Sequence, residues 1–194
     1  MNVKVKLFIA NLKSSLAKEE ISKYYEDYDY TDENLDKVFT ESLLNVSEKN
    51  RARLDYLKDS MPGLTEMKII VQDILEFYEN HFMSYSLEKT YEMSIRFFLH
   101  VKFMHEDGDA SGNVIRIGCK NLVEPATGSE SFSKFINSIG YKASEYYQNN
   151  LRRVLAHEIY HSLHFKHCEL EGKKRSNSIC ENIFDEIFAN YFSY

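Results

Sequence analysis

Residues 151–163 read Leu-Arg-Arg-Val-Leu-Ala-His-Glu-Ile-Tyr-His-Ser-Leu, and this stretch decides the fold. Apolar side chains recur every four residues on one arc of a helix: Leu151, Leu155, Ile159 and Leu163. His157 and His161 fall on the other arc, together with Val154. The pattern predicts a half-buried helix over residues 144–165 whose histidines lie off the core stripe.

The same stretch contains an HExxH motif formed by His157, Glu158 and His161. Helical residues four positions apart are separated by about 40° around the axis, so the two imidazoles converge on one point. Two neutral imidazoles can hold one Zn²⁺, and the neighbouring carboxylate can reach a water on the open position of the metal. The motif predicts one zinc ion per chain, with His157 and His161 as ligands and Glu158 as general base.

This helix resembles the zinc helix of the zincin metallopeptidases, which has the HExxH motif and uncharged residues around the ligands, as this helix does. The metzincin subclass extends the motif to HExxHxxGxxH, and His167 stands at the spacing of the third histidine. However, His164 occupies the glycine position, and all six methionines precede the motif, so no downstream methionine turn follows it.

The gluzincin subclass instead takes a glutamate from a following helix. Residues 185–192, Asp-Glu-Ile-Phe-Ala-Asn-Tyr-Phe, resemble the E-x-x-A-N-x-F segment of ImmA/IrrE-like peptidases and, more loosely, that of lethal-factor-type enzymes. The resemblance implies that Glu186 is the third ligand, that Ala189 permits close helix approach, and that Asn190 hydrogen-bonds near the ligands. Glu181, in an E-x-x-x-D arrangement similar to that of thermolysin-like enzymes, and His167 remain alternatives.

The resemblance implies hydrolysis of a peptide or protein substrate by metal-activated water, with Glu158 moving the proton. The residue that stabilises the oxyanion is left open among Tyr191, Tyr194 and His164. In zincins an extended substrate adds to an edge strand that precedes the zinc helix. Residues 114–118 are the candidate edge strand, with Arg116 near the substrate, and an ordinary sheet strand is the alternative.

The rest of the chain predicts an α+β fold, with a helical N-terminal region over 1–85 and a zincin-like domain over 86–194, packed as one unit. Alternating apolar residues predict a strand over 95–103, and a turn at 106–109 separates it from a second strand at 114–119. The small mixed sheet is thus expected to carry the active-site helix and a C-terminal ligand helix over 178–192. The other predicted elements are mostly helices. A first helix carries Val5, Phe8, Ile9, Leu12 and Leu16 on one stripe, and the next two are capped by Thr31 and Ser47. After a break at Pro62-Gly63, further helices are predicted over 65–82 and 131–139.

Composition excludes several classes of function. There are 24 Lys and Arg against 30 Asp and Glu, a net charge of −6. Without a basic cluster, the chain is not expected to bind nucleic acid, and no run approaches the ~20 apolar residues of a membrane span. The three cysteines form no CxxC pair, which indicates reduced thiols and a cytoplasmic location. The alternative to an enzyme is a non-catalytic binding or regulatory protein of zincin fold, with a structural metal or none.

Overall fold

A computed structural model describes residues 3–12, 25–44, 48–81, 90–99, 107–119, 143–170, 172 and 186–190. Its strands are β1 (Val3–Leu12), β2 (Tyr25–Asp29), β3 (Tyr91–Phe98), β4 (Gly108–Ser111) and β5 (Val114–Gly118). Its helices are α1 (Asp32–Leu44), α2 (Glu48–Ser60), α3 (Leu64–His81) and α4 (Ala143–Leu170). Residues 186–190 are also helical.

The strands form one five-stranded mixed sheet in the order β2-β1-β3-β5-β4. β3 pairs in parallel with both β1 and β5, whereas β2 and β4 are antiparallel strands at the two ends. The predicted α+β class with a small mixed sheet is therefore confirmed. Strands from both sides of residue 85 contribute to this one sheet.

The helical prediction for the first thirty residues is wrong, because β1 and β2 are strands there. Val3, Val5 and Leu7 alternate with lysines, so β1 also carries the period of two that is typical of a strand. In so short a stretch the helical and strand periods overlap. Pairing on both sides, with β2 and β3, favours the strand.

The turn predicted at 106–109 is also misplaced. Gly108–Ser111 is strand β4. The chain reverses its direction directly after this strand, at Gly112, whose positive φ of 61° suits glycine. β5 confirms the second predicted strand, and β3 begins at Tyr91, four residues earlier than expected. Residues 100–106 lie outside the described part of the chain.

Most predicted helices are present. Thr31 caps α1 as expected, because its Oγ1 accepts a hydrogen bond from the Asn34 amide at 3.1 Å. The Pro62-Gly63 break separates α2 from α3, and α4 runs five residues beyond its predicted end. The predictions for Ser47 and for 131–139 fall outside the described residues, as does most of 178–192.

One apolar core joins α3, α4 and the sheet. α4 presents its predicted stripe to this core, with Leu151, Leu155 and Ile159 fully buried and Leu163 3% exposed. The sheet contributes Ile95, Phe97, Ile115 and Ile117, which are all fully buried. Within the described ranges, no helix combines the length and apolarity needed to cross a membrane.

Candidate metal centre

Burial of the apolar stripe of α4 turns its histidines toward a cleft. The side chains of His157 and His161 are 17% and 10% exposed, so both are largely shielded yet reach the surface. The cleft has a volume of about 490 Å³. It is lined by Asp107, Gly108, Asp109, Ala110, Arg153, Val154, His157, Glu158, His161, Glu186 and Asn190.

Two buried hydroxyl groups fix α4 at the motif. Tyr78 of α3 donates a hydrogen bond to the carbonyl of Ala156 at 2.9 Å, and burial raises the pKa of Tyr78, so its hydroxyl stays a donor. On the sheet side, Ser162 donates to the carbonyl of Gly112 at 2.8 Å, and its Oγ lies 2.9 Å from the hydroxyl of Tyr91. These bonds bracket the histidines and set the position of the helix along the sheet.

The structure brings His157, His161 and Glu186 together. The two Nε2 atoms lie 3.1 Å apart. Glu186 Oε2 lies 3.3 Å from His157 Nε2, and Glu186 Oε1 lies 3.3 Å from His161 Nε2. Among the described residues, these three form the one group of histidine, cysteine or acidic side chains whose ligand atoms could share a metal ion.

The separations fit a zinc ion. With zinc bonds of about 2.0–2.1 Å, neighbouring ligand atoms of a tetrahedron are about 3.3–3.4 Å apart. The two histidine nitrogens, 3.1 Å apart, come close to that spacing, and Glu186 brings one of its two oxygens to each histidine. Two imidazoles and one carboxylate leave a fourth position for water, as in catalytic rather than structural zinc sites. The donor set and its spacing therefore suit a hydrolytic metal.

The surroundings of His157 favour its neutral, ligating form. Burial lowers its pKa most, and His161 and Arg153 lower it further, whereas Glu186 and a hydrogen bond to the Asn190 side chain raise it. A lowered pKa leaves a free imidazole lone pair at neutral pH. Asn190 thus has the hydrogen-bonding position that the family resemblance implied.

The segment that carries Glu186 is held close to α4. The side-chain amide of Asn190 donates a hydrogen bond to the main-chain carbonyl of Glu186 at 2.9 Å, and Ala189 is fully buried. Glu186 itself is 57% exposed. The short helix thus packs through Ala189, while the side chain of Glu186 extends toward the two histidines of α4.

Glu158 lies beside the ligands and is only 7% exposed. Gly108 of β4 packs directly on it: a Cβ built there would lie 3.0 Å from Cγ of Glu158 and 3.0 Å from Cγ1 of Val154. It would also lie 3.2 Å from the carbonyl oxygen of Arg116. The glycine therefore allows β4 to approach α4 this closely, because a side chain here would require Glu158, Val154 or the strand to shift by a few tenths of an ångström.

The prediction that residues 114–118 form the edge strand is wrong, because the edge lies one strand further along the sheet. Val114–Gly118 is β5, which lies between β3 and β4, so its main chain is paired on both sides. The edge strand beside the cleft is β4. Arg116 is engaged with its neighbour, because its guanidinium makes a two-pronged contact with the carboxylate of Asp109.

The remaining candidates are separated from the ligand group or are not described. α4 continues as a helix through His164 to Leu170, so His167 lies about 9 Å along the axis beyond His161. His164 stacks on Tyr160, with ring centroids 5.8 Å apart, and lies 3.4 Å from the sulfur of Cys168. Glu181, Tyr191 and Tyr194 lie outside the described residues.

Several residues of the cleft have no role in the sequence prediction, among them Gly108 and Arg153. The sequence places Gly108 in a turn and assigns no role to Arg153. Arg153 precedes His157 by four residues, a spacing that places both on one face of a helix, so this signal was available. Gly108 becomes meaningful only when β4 is seen against α4.

Comparisons with known proteins add no relative. No protein-family model, curated protein or solved structure matches the chain. The functional argument therefore rests on the residues and their geometry.

Proposed function

We propose that the chain is a zinc-dependent metallopeptidase of the gluzincin kind. The observation that carries this proposal is the convergence of His157, His161 and Glu186, whose ligand atoms lie within 4.8 Å of one another, beside the buried side chain of Glu158. The zincin and ImmA/IrrE-like resemblances of the two segments support the same conclusion.

His157, His161 and Glu186 would hold a zinc ion, which when bound would supply a Lewis acid for the scissile carbonyl and for a water molecule. Glu158 accepts a proton from the attacking water while the water oxygen bonds to the carbonyl carbon. When the carbon–nitrogen bond breaks, Glu158 returns that proton to the leaving amine. Its burial against Gly108 keeps the carboxylate oriented toward the cleft.

β4 is an edge strand among the described strands, and its outer edge suits an extended peptide. Gly118 donates its amide to the carbonyl of Asp107 at 2.8 Å, and Asp109 lies opposite Arg116. Hydrogen-bonded pairs alternate in an antiparallel ladder, so the main-chain groups of Gly108 and Ala110 face outward. An extended substrate can pair with these groups and lie across the ligands, the role that the sequence assigned to residues 114–118.

The test compares zinc content and peptide cleavage in the full chain and three variants. Wild type is expected to hold one zinc per chain and to cleave peptides in a digest of cellular proteins, detected by mass spectrometry. Glu158→Gln should retain zinc and lose activity about 10²–10⁴-fold, because only the proton carrier is removed. His157→Ala should lose the metal, whereas His167→Ala, the matched control on the same helix, should keep it.

Two results would contradict the proposal. Zinc-loaded wild type that cleaves no peptide would favour the non-catalytic alternative. Unchanged zinc content in His157→Ala would show that the metal binds elsewhere.

A further inference from the structure

Among the described residues, Arg153 is a cation of the cleft that forms no ion pair with an acid. It is partly buried, lines the cleft beside His157, and makes no hydrogen bond or ion pair with any residue in the described ranges. The other two arginines nearby are paired: Arg116 with Asp109, and Arg152 with Asp73 at 3.8 Å on the far side of α4. Arg153 is thus available to a ligand.

The four acids that line the cleft with Arg153 all have other interactions, Asp107 and Glu158 among them. Asp109 binds Arg116, and the carboxylate of Glu186 faces the two histidines. Arg153 lies about one helical turn before His157 on α4, and both line the same cleft, so its charge is next to the ligand group. A guanidinium presents a planar fork that matches a carboxylate, so the complementary ligand is an anionic oxygen pair.

The direction of β4 fixes where Arg153 meets a substrate. Gly108 lies against Val154 and Glu158, whereas Gly112, just past the other end of β4, lies against Phe165. β4 and α4 therefore run the same way, and Arg153 is at the Gly108 end. A peptide antiparallel to β4 would bring its C-terminal part to that end.

The distance between Arg153 and His157 along α4 indicates which substrate residue Arg153 would contact. Arg153 precedes His157 by four residues, a rise of about 6 Å along the helix. An extended peptide advances about 3.3 Å per residue, so this rise corresponds to about two substrate residues.

We propose that Arg153 is a specificity-determining residue that binds a substrate carboxylate within two residues after the scissile bond. The carboxylate is either an acidic side chain or the C-terminus of the substrate. This inference rests on the proposed peptidase function, and it narrows the substrate class to peptides with a negative charge at that place.

The first test uses one peptide digest divided into two halves, one native and one methyl-esterified to neutralise every carboxylate. Cleavage by the zinc-loaded wild type should cluster one or two residues before an acid or a terminus, and esterification should reduce it about tenfold or more. Arg153→Gln should remove the difference between the halves. Arg152→Gln, which removes the neighbouring charge outside the cleft, should preserve it.

The second test measures binding without cleavage, using zinc-loaded Glu158→Gln protein and three peptides of otherwise identical sequence. One contains Asp and an amidated end, one Asn and an amidated end, and one Asn and a free carboxyl end. Calorimetry should show about tenfold tighter binding for at least one carboxylate peptide than for the neutral one, and which one it is distinguishes a side chain from a terminus. Adding Arg153→Gln should abolish that preference.

The outcomes separate the two proposals. Equal affinity for all three peptides, or no binding of either carboxylate peptide, would overturn the role of Arg153. Equal cleavage of native and esterified digests would do the same while preserving the peptidase. A carboxylate preference that depends on Arg153, in a wild type that hydrolyses nothing, would support the binding site and overturn the proposed function.

Discussion

At the scale of single residues, Gly108 determines how close β4 comes to the side chain of Glu158, the proposed general base. Its hydrogen faces side-chain carbons of Glu158 and Val154, where an added methyl group would lie 3.0 Å from each. The absence of a side chain at this position thus shapes the cleft as directly as the ligands do.

Gly108→Ala is expected to separate β4 from α4 or to displace Glu158. Overpacking of this kind destabilises a protein by about 1–3 kcal/mol. We expect the free energy of unfolding in urea to fall by this amount, and peptide cleavage to fall further than zinc affinity, because the ligands lie outside the clash.

The double variant Gly108→Ala with Val154→Ala provides the control. Val154→Ala removes one of the two carbons that the new methyl group meets, so part of the stability should return. Strictly additive losses in the two variants would argue against the close contact.

The residues of the candidate site differ in how far the sequence could reveal them. His157, Glu158 and His161 follow from helical spacing alone, since all three lie within five residues. Glu186 came only from family resemblance, because no local period connects it to a histidine 25 positions earlier. Arg153 and Gly108 acquire meaning from the cleft, which depends on how β4 and α4 pack.

At the scale of elements, α4 is held by polar bonds as well as by its apolar stripe. Ser162 is fully buried and bonded to the carbonyl of Gly112, at the turn between β4 and β5. The same hydroxyl contacts Tyr91 at the start of β3. Ser162 therefore connects the motif helix to the edge hairpin that forms the opposite wall of the cleft.

Ser162→Ala is expected to destabilise the chain by about 1–3 kcal/mol, because buried polar groups lose a partner. The loss is measurable as a lower midpoint of urea unfolding at an unchanged m-value. Thr40→Val is the matched control, since Thr40 bonds the carbonyl of Asp36 on an exposed helix face. Equal losses in the two variants would contradict the special role of Ser162.

Elements were predictable where local pattern and packing agree. α3 and α4 carry long apolar stripes that only a helix can bury, and both are present. β1 is short enough for Val5, Phe8, Ile9 and Leu12 to fit a helix, while Val3, Val5 and Leu7 fit a strand. The choice depends on parallel pairing with β3, some ninety residues later, and local sequence does not encode that partner.

At the scale of the whole molecule, the proposed metal joins parts of the chain that are distant in sequence. His161 and Glu186 are separated by 25 residues, and Glu186 is 57% exposed on a short helical segment. A metal bound to both residues would link the two ends of the segment between them, and it would do so only in the native state. Because an unfolded chain lacks the convergent ligands, zinc binding should add directly to global stability.

Zinc at one hundred times its dissociation constant should therefore raise the free energy of unfolding by up to about 2.7 kcal/mol. Urea unfolding in buffered zinc and in EDTA measures the difference, which should vanish in Glu186→Gln. Glu181→Gln and His167→Gln remove the two alternative third ligands and should respond to zinc as wild type does. If Glu186→Gln keeps the full stabilisation while either of these loses it, the third ligand is that other residue, and the cleft closes around a different part of the chain.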